Sequence, residues 1–258
     1  MTTTTRLTHW GLACILGLVL LGGCSKKETA EEQPAAPVTT PAATATPVDP
    51  ATAASVSGTV KFAGAPPKAA TIDMSQDPNC KGQNTAENIV VSGGNLANVF
   101  VYVKEGLGNR TFDVPKDPVV VDQQGCKYHP HALGVMAGQT VKIVNSDPTT
   151  HNIHPTPKDN REWNESQPPQ AAPLEKIFAR EEILLPVKCN QHPWMRMFIS
   201  VVKNPFYAVS GPDGKFEIKG LPPGDYTLAF VQEKLGEQDV KVTLAPKDSK
   251  TVDMTFKQ

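Results

Sequence analysis

Cys189, His192, Met195 and Met197 fall within nine residues, in the stretch Cys189-Asn190-Gln191-His192-Pro193-Trp194-Met195-Arg196-Met197. A thiol, an imidazole and two thioethers at that density form a donor set for a soft or borderline metal ion. A second source of imidazole lies upstream, in Asn145-Ser146-Asp147-Pro148-Thr149-Thr150-His151-Asn152-Ile153-His154. Two histidines and one cysteine with a weak axial thioether make the mononuclear copper site used for electron transfer. Zinc is the competing metal, since Cys189 and two histidines also suit a tetrahedral site. Its fourth ligand is usually Cys, His or a carboxylate, so a methionine at this spacing argues for copper. Coordination would deprotonate the Cys189 thiol outright.

Donors of this kind need a frame that holds one geometry. Residues 141–145 (Val-Lys-Ile-Val-Asn) alternate as a strand, and Asp147-Pro148 ends it, which places His151 on a loop at the strand end. Residues 183–188 read as a second strand leading into Cys189, and residues 198–202 as a third carrying the chain away. Three ligands would then share one loop between strands, with the fourth on a neighbouring loop.

These two stretches resemble the ligand pattern of the cupredoxin (blue copper) family: a His in a His-Asn-aliphatic context, then Cys-x2-His and a Met two to four residues later. The amicyanin-like members are nearest in wording, with His-Asn-aliphatic-His upstream and Cys-x2-His-Pro-aromatic-Met-Arg downstream. The resemblance spans residues 117–203. It implies His151, Cys189 and His192 as copper ligands and Met195 as the axial ligand. Met197 is the alternative, at the longer spacing of plastocyanin-like members. Asn152 matches the residue that ties the two ligand loops together, and His154 a position that binds no metal. The resemblance also implies that His192 exposes its ring edge through an apolar patch, with Pro193 and Trp194 shaping a docking face.

The remainder of the chain is read from composition and pattern. With 258 residues, 24 prolines, 19 glycines, a formal net charge of −1 and no long helical periodicity, the chain is expected to be all-β. No clustered basic excess marks a nucleic-acid footprint. Residues 56–62 and 98–104 alternate as strands, and Asp213-Gly214 is a hairpin-turn signal between alternating stretches. Strands near 239–244 and 251–256 would follow. These parts resemble the carboxypeptidase-regulatory-like, or transthyretin-like, sandwich. The fold implied is a cupredoxin-like Greek-key sandwich (117–203) with an associated transthyretin-like sandwich built from residues 55–116 and 204–258. No His-x-x-Glu occurs in the chain, so that sandwich brings no peptidase zinc ligands and reads as a spacer or docking module.

At the N-terminus, Arg6 precedes an apolar run from Trp10 to Leu21 that is short for a membrane span. Leu21-Gly22-Gly23-Cys24 resembles a bacterial lipobox. It implies a signal peptide over 1–23, lipidation of Cys24, and a place on the periplasmic or cell-surface side of a bacterial membrane, with Ser25 leaning towards the outer one. Residues 24–54, rich in Ala, Thr, Pro and Glu, cannot bury enough surface to order themselves and read as a tether. Cysteine arithmetic follows. Cys14 goes with the signal and Cys24 with the lipid, and Cys189 belongs to the metal motif. Cys80 and Cys126 remain as a disulfide in an oxidising compartment. On the chain-entropy estimate that bridge contributes about 4 kcal/mol.

His129-Pro130-His131 is one His-x-His pair among six histidines, too few for a trinuclear copper cluster, and reads as surface or structural. No second Cys follows Cys189 by four residues, which excludes a dinuclear centre of that kind. Trp163 reads as a packing residue on a surface connection. The expected function is non-enzymatic: a tethered type 1 copper protein passing single electrons between periplasmic partners such as a c-type cytochrome, a dehydrogenase or an oxidase. The alternatives are copper storage or delivery, and a scaffold or adhesion role with a vestigial copper site.

Overall fold

The strand Ala54–Ala63 is the hub of the first of two sandwiches, because its alternate side chains Val56, Val60 and Phe62 all enter one apolar core. This is a computed structural model that describes residues 45–258, so the expected signal peptide, Cys24 and residues 24–44 of the expected tether lie outside the described residues. Every regular element described is a β-strand, as composition led us to expect. Ala54–Ala63 pairs antiparallel with Lys215–Leu221 and Asn95–Leu96, and parallel with Ser249–Thr251 and Met254–Lys257. Facing it is a sheet in the order Tyr207–Val209, Phe100–Glu105, Gly224–Gln232, Gly236–Leu244. Phe216, Phe230 and Phe256 fill the space between, with Phe216 and Phe230 edge to face at 5.3 Å.

The chain leaves this pair of sheets after Phe100–Glu105 and returns to it at Tyr207–Val209. The intervening strands form two further sheets. One has the order Leu174–Ile177, Thr140–Asn145, Val119–Gln123, Tyr128–His129. The other runs Glu165–Gln167, His151–Pro155, Glu182–Lys188, Arg196–Val202, Ala132–Met136. Val121, Val141, Ile143, Ile153, Leu185, Val187, Ile199 and Val201 pack between them. A smaller cluster of Phe100, Tyr102, Val202, Ala229 and Val231 joins the two sandwiches. Tyr207 packs closely against Gly134 there; a Cβ at Gly134 would meet its ring at 2.4 Å.

Four details depart from the sequence reading. Residues 45–53, assigned to the tether on composition, lie along the first sandwich, where Thr46 donates to the Thr111 carbonyl at 2.7 Å and Val48 packs on the core. Asp213-Gly214 turns the chain, but the flanking strands belong to opposite sheets, so the turn is a crossover and not a hairpin. The expected strand 251–256 is broken at Val252-Asp253. There Gly58 lets the chain pass so close that a Cβ would sit 1.9 Å from the Val252 carbonyl, and the Asp253 carboxylate accepts the Thr59 N–H and the Lys61 ammonium, each at 2.9 Å. Finally, His151 opens the strand His151–Pro155 and does not sit on a loop. A polar run closed by proline gives no alternation signal, and this strand exists because His151, Asn152 and Ile153 pair with Gln167, Ser166 and Glu165.

One small hairpin, Thr71–Ile72 with Asn84–Thr85, joins none of the four larger sheets. It is held against the second sandwich by the Cys80–Cys126 disulfide, whose Cα atoms are 5.6 Å apart, and by Met74, which is buried in that sandwich's core.

Candidate metal centre

Cys189 follows directly on Glu182–Lys188, and the next strand, Arg196–Val202, pairs back on it from Lys188 opposite Arg196. The intervening loop is therefore tight. The Cys189 N–H donates to the Met195 carbonyl at 3.2 Å, and the Met195 N–H to the His192 carbonyl at 2.9 Å. The His192 N–H points at the Cys189 sulfur, 3.4 Å away, which folds the imidazole back over the thiol so that Nδ1 lies 3.7 Å from Sγ. His151 arrives from the neighbouring strand with its Nδ1 only 2.9 Å from that of His192. Sγ and the two ring nitrogens lie within 4.8 Å of one another, and all three residues are buried.

Asn152 binds the two ligand segments together. Its N–H points at the Cys189 sulfur at 3.5 Å, and its side-chain oxygen accepts the Asn190 N–H at 2.6 Å and the Cys189 thiol at 3.2 Å. Its amide nitrogen donates to Asn164. The Tyr128 hydroxyl donates to the Asn152 carbonyl at 2.6 Å, and burial pushes that phenol pKa up, with the neighbouring Cys189 adding to the effect. Asn145 braces the segment before His151 by donating to the carbonyls of Thr149 and Gln167, both at 2.8 Å, and accepting the Asp147 N–H at 3.0 Å.

Both histidines carry a carboxylate on the nitrogen that faces away from the cluster. Asp147 lies 2.8 Å from His151 Nε2 and is itself fixed by the N–H groups of Gly125 and Cys126, each at 2.7 Å. Asp77 lies 3.0 Å from His192 Nε2, and the same oxygen accepts the Thr149 hydroxyl at 2.6 Å. The Thr149 hydroxyl, then the Asn79 N–H, draws the Asp77 pKa down to about 2 against the opposing effect of burial, and His192 adds a smaller pull in the same direction. Burial pushes the His151 pKa down although Asp147 pulls it the other way, which favours the neutral form of the imidazole.

With each Nε2 set against a carboxylate, the two Nδ1 atoms face each other across the shared centre. Two ring nitrogens at 2.9 Å then require one proton between them or a cation in its place. This donor set of one free thiol and two imidazoles fits copper. The other two groupings of His, Cys and Asp among the described residues use Cys80 or Cys126, whose sulfurs are committed to the disulfide.

The carboxylates were missed in the sequence. Asp147 stood four residues before His151 and was read only as a strand terminator. Asp77 is 115 residues from His192, and its one local marker is that it precedes a disulfide cysteine by three positions. Asp77 also overturns an expectation: the His192 ring edge is covered, leaving the residue 4% exposed. Beside it Pro193 is exposed, whereas Trp194 is half-buried, 5.1 Å from the His192 ring, with its indole N–H on the Cys126 carbonyl at 3.1 Å.

Met195 and Met197 are both fully buried in the core below the cluster. Met195 belongs to the ligand loop, while Met197 sits on a strand opposite Val187. His154 stays outside the cluster, between Asn190 at 3.1 Å and Glu162 at 2.6 Å. His129 is exposed and contacts the Gln124 carbonyl, and His131 is buried against Glu233 at 2.6 Å. Trp163 packs on Phe178, with the Lys176 ammonium 5.0 Å over its ring.

No protein-family model matches this chain, and no curated protein does. Among solved structures, a copper nitrite reductase from Thermus scotoductus is similar at 19% identity and a TM-score of 0.32, covering 38% of this chain and 25% of that one. The chain thus spans a quarter of that enzyme's length. A copper(I) form of an amicyanin mutant is similar at 25% identity and a TM-score of 0.30, covering 34% of this chain and 86% of that one. A purple cupredoxin from Nitrosopumilus maritimus is similar at 21% identity and a TM-score of 0.28, covering 32% and 98%. With TM-scores this low, none of these likenesses bears on what the site does.

Proposed function

We propose that this chain is a type 1 copper protein that passes single electrons between redox partners outside the bacterial inner membrane, tethered through a lipid on Cys24. The observation that carries this reading is the convergence of one free, buried thiol and one ring nitrogen from each of two imidazoles within 4.8 Å. Copper bound there would alternate between Cu(I) and Cu(II), and its bond to the thiolate would give an intense visible absorption. The chain's own part is to present the same donors in both states. Cys189 and His192 share a loop closed by backbone hydrogen bonds, His151 lies on a paired strand, and Asn152 joins the two. A frame so tied has little freedom to rearrange when an electron moves.

Met195 is the axial donor in this reading, since it shares the loop with Cys189 and His192 while Met197 fills core on a regular strand. Redox partners of the c-type cytochrome or dehydrogenase/oxidase kind would dock near the exposed Pro193 and the outer part of Trp194. The test is to load the protein with copper and cycle it between ascorbate and a mild oxidant. An intense visible band that bleaches and returns, with copper retained through gel filtration, is expected. A colourless copper complex, or one that sheds its metal on reduction, would point instead to storage or delivery.

A further inference from the structure

The hairpin formed by Thr71–Ile72 and Asn84–Thr85 stands apart from all four larger sheets, yet it is fastened to the second sandwich at several points. Cys80 is bonded to Cys126, Met74 is buried in the core, and the Asn84 side chain donates to the Gly125 carbonyl at 2.8 Å. Within its loop, Asp77 accepts the Asn79 N–H on one carboxylate oxygen, at 2.8 Å, and turns the other to Thr149 and His192. Thr149 lies two residues before the ligand His151, so the Asp77 carboxylate touches both ligand segments. The disulfide partner Cys126 also gives its N–H to Asp147, the carboxylate behind His151. One small covalently fastened element thus reaches the far side of the His192 imidazole directly, and its disulfide partner Cys126 helps to hold the carboxylate behind His151.

We propose that this hairpin is a clamp on the metal centre: Asp77 fixes the His192 ring with Nδ1 turned inward, seals its outer edge from solvent and favours the more highly charged state of the metal. The proposal rests on the copper reading and deepens it. A carboxylate behind a ligand imidazole orients the ring and makes it a stronger donor, and such partners typically change metal affinity by about 10–100-fold. A fixed negative charge one ring away from the metal stabilises Cu(II) more than Cu(I), and so lowers the reduction potential. The clamp also means that electrons do not leave through a bare His192 edge, because Asp77 occupies that face. Asp77 is a positioning residue and reaches the metal only through His192.

Two variants separate its actions. Asp77→Asn keeps an acceptor for the His192 Nε2–H and removes the charge, whereas Asp77→Ala removes both. Copper-loaded Asp77→Asn should favour Cu(I) over Cu(II) about tenfold more than the wild type, a rise of about 59 mV for a one-electron couple. Asp77→Glu should recover part of the difference. A second readout needs no metal. In the metal-free protein, NMR of the imidazole groups should find the His192 Nε2–H protected from solvent exchange in the wild type and in Asp77→Asn, and exposed in Asp77→Ala. The pair Cys80→Ala with Cys126→Ala should speed that exchange as well, which covers the case in which an Asp77 variant does not fold. Failure of the wild type to bind copper would sink the functional reading, and the exchange measurement would still decide the clamp. An unchanged potential in Asp77→Asn, or equal protection of His192 in wild type and Asp77→Ala, would overturn the proposal.

Discussion

The two sandwiches use the same strand alternation to different ends. In the first, Val56, Val60, Phe62, Phe216, Phe230 and Phe256 form an apolar core, and none of the His/Cys/Asp/Glu groupings found among the described residues falls there. Its few buried polar side chains, Ser210 among them, close backbone gaps, as when the Ser210 hydroxyl donates to the Leu96 carbonyl at 2.9 Å. In the second, alternation fills the middle of the sandwich, and one end is given over to buried polar groups: Gln123, Asn145, His151, Asn152, Gln167 and His192. Apolar packing tolerates small errors in side-chain placement. A donor cluster does not, and here each donor is oriented by its own hydrogen-bond partner. One end of the second core is thus given over to a largely hydrogen-bonded polar network, in which the Gln123 side-chain oxygen alone among these groups is left without a partner.

Substitutions should expose that contrast. The largest stability loss is expected from the first sandwich: Phe230→Ala, which removes a fully buried ring packed on Phe216, should cost about 3–5 kcal/mol in urea unfolding. Its visible spectrum under native conditions should stay as it is; a changed spectrum would mean that the two sandwiches are coupled more tightly than their small shared cluster implies. At the polar end, Asn152→Ala strips the partly buried Asn190 N–H of its acceptor and should cost about 0.5–1.5 kcal/mol, the net worth of an ordinary hydrogen bond. Its larger effect should be on copper affinity, down about 10–100-fold, which competition with a chelator would measure.

The two methionines sharpen the comparison within one sandwich. Met195→Gln should lower the reduction potential and alter the visible spectrum, because an oxygen donor replaces the thioether. Met197→Gln should leave both nearly unchanged and lower stability by about 1–3 kcal/mol, the penalty for a buried amide without a partner. The reverse pattern would give Met197 the axial role.

The smallest effect belongs to the scaffold. The Lys61 ammonium, with the Thr59 N–H, holds the largely exposed Asp253 below its ordinary carboxylate pKa. Its folded pKa is the lower one, so its stabilising contribution is present above the unfolded value of 3.8 and fades as pH falls towards the folded value. Asp253→Asn should therefore flatten the acid limb of the stability curve slightly and leave stability near neutrality to other groups. An unchanged acid limb would place that pairing among surface ion pairs that contribute nothing measurable.

Much of the scaffold could be read from alternation. Thr140–Asn145, Glu182–Lys188 and Arg196–Val202 were each anticipated to within one or two residues, because half of each strand faces an apolar core. His151–Pro155 escaped notice, since its pairing depends on Gln167 and Glu165, which no local pattern announces. The Asp213-Gly214 turn was visible, but a turn signal fixes the local bend and says nothing about which sheet the chain enters next. At the site, Cys189 and His192 are near neighbours in sequence, and Asn152 adjoins His151, so residue type and spacing exposed them. Asp77 is different in kind. Its contact with His192 is made by the folding of a remote hairpin and the bridge from Cys80 to Cys126. The surface around the ligand loop was misjudged for the same reason, as the cover over His192 arrives from that distant segment.

The central claim is that the Cys189 thiolate binds copper together with His151 and His192. The most direct measurement is the visible absorption spectrum of the Cu(II)-loaded protein beside that of Cys189→Ser. The wild type should show an intense blue band that vanishes in the serine variant, while both metal-free proteins melt at similar temperatures because the substitution only exchanges one buried sulfur for a hydroxyl oxygen. An intense band that persists in Cys189→Ser, or its absence from copper-loaded wild type, would contradict the account.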